Sequence, residues 1–370
     1  MRVLVAFDKF KDALTARAAS EAAASALHAK HPGWMLDLCP LTDGGEGFCE
    51  ILTAAVNGRL APMNVSGPRG GIISAPIGWV DCTQLPPPVQ ARLHLKPSDT
   101  LAIIGLASAS GLELLPRDQR DPWHTTTRGT GEQIRTAGQA GASAILLGLG
   151  GSATNDLGLG ALAALGFKFA HVPVPATWTQ ISGLSGRAEL PPVFLACDVT
   201  NPLLGPRGAT ATFGPQKGLP DSDIPRLEAE MARLAALLCK ACGQPLSLAD
   251  TPGAGAAGGI AFGLMVATGA KIMPGFDLVS DWLDLPARLA AADLVITGEG
   301  RFDATSLAGK GPGSLVREAR QLGKSAHVFA GSLGGPADAR HHAITPPGLL
   351  LIEALPRTAE LLAAAVREAL

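Results

Sequence analysis

The chain has 370 residues, of which 47% are hydrophobic, and a formal net charge of −2. That length holds two domains with sizeable cores, and so balanced a charge argues against nucleic acid as a general partner. Six cysteines spread over such a length make no disulfide framework, so a reducing, cytoplasmic setting is expected; Cys239 and Cys242 form an isolated C-x-x-C at the end of a helical pattern, without a second pair or a nearby His. Neither a signal peptide nor a membrane span is expected, because Asp8, Lys9, Lys11 and Asp12 interrupt the start and no apolar run reaches about 18 residues.

In chain order, Val3 to Phe7 reads as a buried strand. Thr15 is placed to cap a helix from Ala16 to Lys30. A second strand over Met35 to Leu41 ends in Asp43-Gly44-Gly45-Glu46-Gly47, and a helix follows from Phe48 to Asn57. The texture then breaks up near residue 60. Ile72 to Val80 can pair with Met63 to Val65 as a hairpin. The alternation of strand and helix returns at Thr100 to Leu106, and Arg128 stands where the next helix opens. Pro191 to Cys197 is a strand ending in Asp198 and Asn201. A glycine-rich run at Pro252 to Gly259 opens another helix. Strands at Leu294 to Thr297, Ala326 to Ala330 and Leu349 to Ile352 precede a closing helix over Thr358 to Leu370. Strands alternating with helices predict an α/β fold with parallel sheets.

The stretch Ala144 to Leu165 stands out. A short apolar run leads into Gly148 to Ala153 and then into an Ala/Leu-rich segment. A strand, a glycine turn and a helix start present backbone N–H groups to an anion. Gly150 and Gly151 leave room for close approach of a phosphate, and Ser152, Asn155 and Asp156 add polar groups. The run satisfies a relaxed G-x-G-x-x-A pattern but lacks the acid about twenty residues on that a dinucleotide site needs. The nearest approach to a P-loop, Ala304 to Gly311, has the wrong ends.

Polar clusters follow five strands: Asp8, Asp43/Glu46, Asn155/Asp156, Asp198/Asn201 and Glu299/Asp303. Any one of them reads equally well as a turn, since Asp, Asn and Gly belong there for local reasons. Five at the same end of strands match the place where open α/β sheets bind ligands. Phosphoryl transfer uses such a set: carboxylates for Mg²⁺, a base to orient a hydroxyl, and amides and cations for phosphate. The candidate cations are Lys11, Arg128, Lys217 and Lys310.

The segments DKFKDALTA (8–16), LTDGGEGF (41–48), GLGGSATNDLGLGAL (148–162), ACDVTNPLLGPRGATATFGPQKG (196–218), LVITGEGRFD (294–303) and GKGP (309–312) resemble the bacterial glycerate kinase family of the D-glycerate 2-kinase type. The chain departs from the family's usual residues at Lys9, Asp12-Ala13, Gly105, Leu157 and Thr305. The resemblance implies an ATP- and Mg²⁺-dependent kinase that makes phosphoglycerate, with the 2-position as the expected site. It further implies two α/β domains: a flavodoxin-like one built from residues 1–60 and 285–370, and one inserted at 61–284. Glycerate is the implied partner, with neither nucleic acid nor membrane, and a homodimer is allowed for. Asp303 is expected as base, with Asp198 as the other candidate and Lys310 beside them; Glu46, Glu299 and Asp198 are expected at the metal. Asp8, Lys11, Asp43, Gly44, Gly45, Arg128, Gly150, Gly151, Ser152, Asn155, Asp156, Asn201, Lys217, Gly298, Gly300 and Arg301 are expected to line the substrate and nucleotide sites. Within the residues themselves, a kinase of another small hydroxy acid and an inactive phosphate-binding regulator remain alternatives.

Overall fold

The computed structural model describes residues 1–304, 306, 311–335 and 338–370. Among these residues the strands in chain order are β1 (Arg2–Phe7), β2 (Met35–Leu38), β3 (Arg59–Ser66), β4 (Ile72–Asp81), β5 (Thr100–Gly105), β6 (Ala144–Gly148), β7 (Lys168–Phe169), β8 (Leu184–Ser185), β9 (Val193–Cys197), β10 (Lys271–Pro274), β11 (Leu294–Asp303), β12 (Ser325–Gly334) and β13 (His341–Ala343). The chain divides into two compact units, one of Met1–Asp43 with Val279–Leu370 and one of Gly44–Leu278.

The first unit is a five-stranded sheet in the order β13-β12-β11-β1-β2, parallel throughout. Renumbered within the unit from the β2 edge, this is the 2-1-3-4-5 order of flavodoxin-like sheets. Val3 to Phe7 and Val295 to Thr297 are completely buried, as continuous apolar strands covered on both faces should be. Thr15 caps the helix Ala16–Lys30, its hydroxyl accepting from Ala18 N at 3.1 Å. That helix buries Ala19, Ala23 and Leu27 in one core with Leu362 and Val366 of the helix Thr358–Ala369.

One sequence expectation fails here. Leu349 to Ile352 is no strand: Leu351–Ala354 is a helical turn, and Leu350, Leu351 and Ile352 are 63%, 64% and 78% exposed. The edge position is filled by β13, whose residues His341 to Ala343 pair with Val328 to Ala330. Apolar character suggested a strand at a place where no neighbour offers its backbone.

The second unit carries a six-stranded sheet in the order β10-β9-β6-β5-β4-β3. The expected hairpin forms, with Met63 opposite Ala75 and Val65 opposite Ile73. β4 pairs antiparallel with β5, and β5, β6, β9 and β10 are mutually parallel. The helix Phe48–Ala55 packs on β4 and β5. Residues 44–60 therefore go with this unit, whereas the break in sequence texture places the crossing near residue 60. The helix Ile224–Cys242 buries Leu227, Met231, Leu234 and Leu238, a helical spacing facing the core. It also carries Cys239 and Cys242, whose thiols burial pushes up, the opposite of a reactive pair. Among the described residues no helix is long and apolar enough to cross a membrane.

Candidate functional site

In the first unit the strand order reverses at β1 and β11, which is where a sheet of this type opens a ligand crevice beyond the carboxyl ends of its strands. Phe7 pairs with Gly298, so Asp8, the first residue beyond β1, comes beside Glu299, which stays in β11 paired with Ala330 of β12. Asp8 is 9% exposed, and Lys9 N donates to its Oδ1 at 2.7 Å. Burial pushes the Asp8 carboxyl up to about 8, with Asp43 and Glu299 adding to the rise and Lys9 opposing it. Glu299 is pushed up to about 7, first by burial; Asp43 and Asp303 add to this, while a hydrogen bond with Ser306 opposes it. Burial, with neighbouring carboxylates adding to it, thus raises the proton affinity of Asp8 and Glu299, which is the electrostatic signature of a place wanting a cation. Lys9 meets part of that demand, with Nζ 3.8 Å from Asp43 Oδ1.

The same cluster bears on the expected metal. Glu299 Oε1 is buried without a hydrogen-bond partner among the described residues, and hard carboxylate oxygens suit Mg²⁺. No group of three or more His, Cys, Asp or Glu among the described residues could hold a metal ion alone. This donor set fits an ion that keeps waters and shares itself with substrate phosphates. The remaining expected residues of this unit fall into two kinds. Gly298 and Gly300 serve close packing: a Cβ at Gly298 would overlap Phe329 O, and one at Gly300 would lie 3.3 Å from Lys11 N. Arg301 is largely exposed and pairs with Asp303 at 3.1 Å, and Lys11 is exposed. Lys310 lies outside the described residues.

In the second unit the loop after β6 is built against Gly44 to Gly47. Gly150 N donates to Gly44 O at 2.8 Å, and Leu149 N to Ala196 O at 3.1 Å. A Cβ at Gly150 would overlap the Gly45 backbone, and one at Gly151 would overlap Glu46 Oε1. The space expected for a phosphate at these two glycines is therefore filled by Gly45 and Glu46. The other edge of the loop pairs with residues 110–112, through Leu112 N to Gly151 O and Ala153 N to Ser110 O.

The expected helix start is also displaced. The helix Leu159–Ala164 begins only after Gly158, and its first amides are already taken. Asp156, wholly buried, accepts from Thr127 N and Oγ1 at 2.8 and 2.9 Å and from Gly158 N and Gly160 N at 3.1 and 3.2 Å. Asp156 is the anion of that helix N-terminus and has no face left for a ligand, which corrects its assignment to the binding site. Beneath the loop lies Lys217, 1% exposed, its ammonium donating to Ser152 Oγ at 2.8 Å and to Thr154 O at 2.6 Å. Burial lowers its pKa to about 7 against the pull of Asp156. This replaces the expected direct contact with phosphate by a role below the loop.

Asp198 Oδ2 accepts from Phe276 N at 2.9 Å, at the head of the helix Gly275–Leu283. Asn155 Nδ2 donates to Thr210 Oγ1 at 3.1 Å, and Asn201 Nδ2 to Arg207 O at 2.7 Å. Arg128 is half exposed and pairs with Glu132 at 3.1 Å. Sequence reading missed Thr127 and Lys9. Thr127 had a visible signal, three threonines in a row before a helix; Lys9 shows only as a departure from the family's residue.

Three comparisons bear on this arrangement. The model of the glycerate kinase family matches residues 3–369. The chain is 36% identical to a glycerate kinase of Bacillus subtilis, over all of this chain and 96% of that protein. It is 37% identical to a glycerate 2-kinase of Escherichia coli, over 90% of this chain and 86% of the other. A crystal structure described as glycerate kinase 2 from Salmonella typhimurium superposes with a TM-score of 0.72 at 34% identity, covering 100% of this chain and 96% of that one.

Proposed function

The chain belongs to the glycerate kinase family, and from that premise we propose that it transfers the γ-phosphoryl group of ATP to D-glycerate, giving phosphoglycerate with the 2-hydroxyl as acceptor. The observation that carries the reading is the pair of devices in the two units. One is the carboxyl cluster of Asp8, Asp43, Glu299 and Asp303; the other is a glycine loop seated on the buried Lys217. Phosphoryl transfer needs both kinds of group, because its catalysis is mostly positioning and charge stabilisation. In this reading the two units are the two domains of the enzyme, and it works in the cytoplasm.

Glu299, with Asp8 beside it, would share Mg²⁺ with the substrate phosphates, and the ion supplies neutralisation of phosphate charge when bound. Asp303 orients the glycerate hydroxyl, and Arg301 beside it offers a cation for the substrate's own carboxylate. The loop of the second unit takes an anionic group through backbone N–H.

The test is a coupled assay of ADP release over a panel of small hydroxy acids, with and without Mg²⁺, with the phosphorylated carbon read by ³¹P NMR. Turnover on D-glycerate that disappears in EDTA is expected. Turnover confined to another hydroxy acid replaces the substrate, and nucleotide binding without turnover on any acid overturns the kinase reading.

A further inference from the structure

The loop of residues 151–156 has an unusual hydrogen-bond inventory. Ala153 N donates to Ser110 O, but the amides of Gly151, Ser152, Thr154, Asn155 and Asp156 have no acceptor among the described residues. Backbone amides in folded proteins are paired in all but a few per cent of cases. Gly151 is partly exposed and Ser152 is 8% exposed, whereas Thr154, Asn155 and Asp156 are wholly buried, so the open end of the run is at Gly151 and Ser152. Directly below, the Lys217 ammonium bonds the two residues that bracket the turn, Ser152 through its hydroxyl and Thr154 through its carbonyl. Among the described residues its ammonium makes no salt bridge, although Asp156 pulls on its charge. Asp156 has its carboxylate committed to Thr127, Gly158 and Gly160, and the Glu46 carboxylate lies over Gly151.

We propose that Lys217 is a positioning residue that never touches the substrate: its buried ammonium pins Ser152 and Thr154 so that the unpaired amides of Gly151 and Ser152 meet an anion, and its charge supplies the field that holds a sulfate- or phosphate-like group there. This deepens the kinase reading by naming what shapes its anion site. The chemistry is simple. A cation in a low-dielectric interior acts on a nearby anion with little screening, and a turn whose two ends are fixed loses little entropy when the anion arrives. Burial holds Lys217 near the point of losing its proton at neutral pH, so a bound anion and the proton on Lys217 must favour each other.

Sulfate is the probe, because its charge is constant across the working range. Sulfate binding to the full-length chain is measured by isothermal titration from about pH 6 to about pH 8.5, in the wild type and in Lys217→Met. Affinity in the wild type is expected to fall about tenfold as pH rises through the range where a lysine of depressed pKa loses its proton. Lys217→Met is expected to bind at least about tenfold more weakly, with no such slope, and to raise KM for the phosphate donor more than it lowers kcat. A flat wild-type profile, or a Met variant with the wild-type affinity and slope, overturns the proposal. If Lys217→Met does not fold, Ser152→Ala serves: it leaves the ammonium with Thr154 alone and should move the midpoint of the slope to lower pH, and an unmoved midpoint counts against the proposal. The sulfate titrations use no glycerate. Failure of the sulfate slope in an enzyme that phosphorylates glycerate removes only Lys217's role, and a normal slope in a chain that does not phosphorylate it removes only the kinase reading.

Discussion

Asp303 and Asp198 looked alike as bases, and their surroundings separate them. Asp198 receives the amide of Phe276 at a helix head, where a carboxylate steadies unpaired donors. Asp303 ends β11 beside Arg301 and among the other carboxylates of its unit. Asp303→Asn keeps the shape and removes the charge, so kcat should fall by about two to four powers of ten, the span of a positioned base, with nucleotide affinity nearly unchanged. Near-normal turnover in that variant would take Asp303 out of the reaction. Which acids cluster beyond the strands was readable, because carboxylates directly after apolar runs are conspicuous. Which of them are engaged by distant donors was not. Asp156 is bonded to Thr127 and Asp198 to Phe276, partners far away in sequence that no local pattern reveals. The glycines mislead for the same reason. Gly151, with φ of 68°, is required by the backbone and by Glu46 whether or not a ligand is present, so a bulky residue there would report on packing as much as on binding.

Helices announce themselves by local chemistry, and here that chemistry held: Thr15 at one start and Gly243, with φ of 66°, at the end of Ile224–Cys242. Strands depend on neighbours, and the one failure, Leu349 to Ile352 against β13, is of that kind. The helix Pro87–Arg92 shows a local conflict of another sort. Leu95 N donates to Gln90 O at 2.9 Å and His94 N to Ala91 O at 3.2 Å, the paired bonds of a Schellman ending. The residue after the cap must then be left-handed, and it is an exposed histidine with φ of 52°. A side chain in that conformation costs about 1–2 kcal/mol, and glycine returns part of the gain through a freer unfolded chain. His94→Gly should stabilise the protein by about 0.5–1 kcal/mol, seen as a higher urea midpoint at constant slope. A lower midpoint would mean that the histidine makes a contact worth more than the strain.

At the scale of the whole molecule, a main hydrophobic core in each unit among the described residues answers to the alternation of strands and helices along the chain. The strand order inside each sheet does not, because pairing of β1 with β11 joins residues almost three hundred positions apart; there the resemblance to a family did what periodicity cannot. That pairing has a measurable consequence. Asp8 and Glu299, pushed up to about 8 and about 7, hold protons in the folded chain that the unfolded chain releases nearer pH 4. The folded state therefore binds more protons between those limits, and this contribution to stability shrinks as pH rises towards 8. Lys217 works the other way: with its pKa lowered to about 7, the folded state holds fewer protons than the unfolded one from there to about 10.4, and stability rises with pH. The raw dependence of melting temperature on pH is a sum of opposed slopes and decides nothing. The increment produced by Mg²⁺ does decide, because an ion at these carboxylates must displace their protons, whereas it has no reason to respond to Lys217. Mg²⁺ affinity should rise by up to about tenfold per pH unit below the carboxyl pKa values, so the stabilisation by a fixed Mg²⁺ concentration grows between about pH 6 and about pH 8.5. In Glu299→Gln that growth should be reduced at every pH. An increment that is the same at both ends of the range, or equal in wild type and variant, would place the metal away from the β1–β11 crevice.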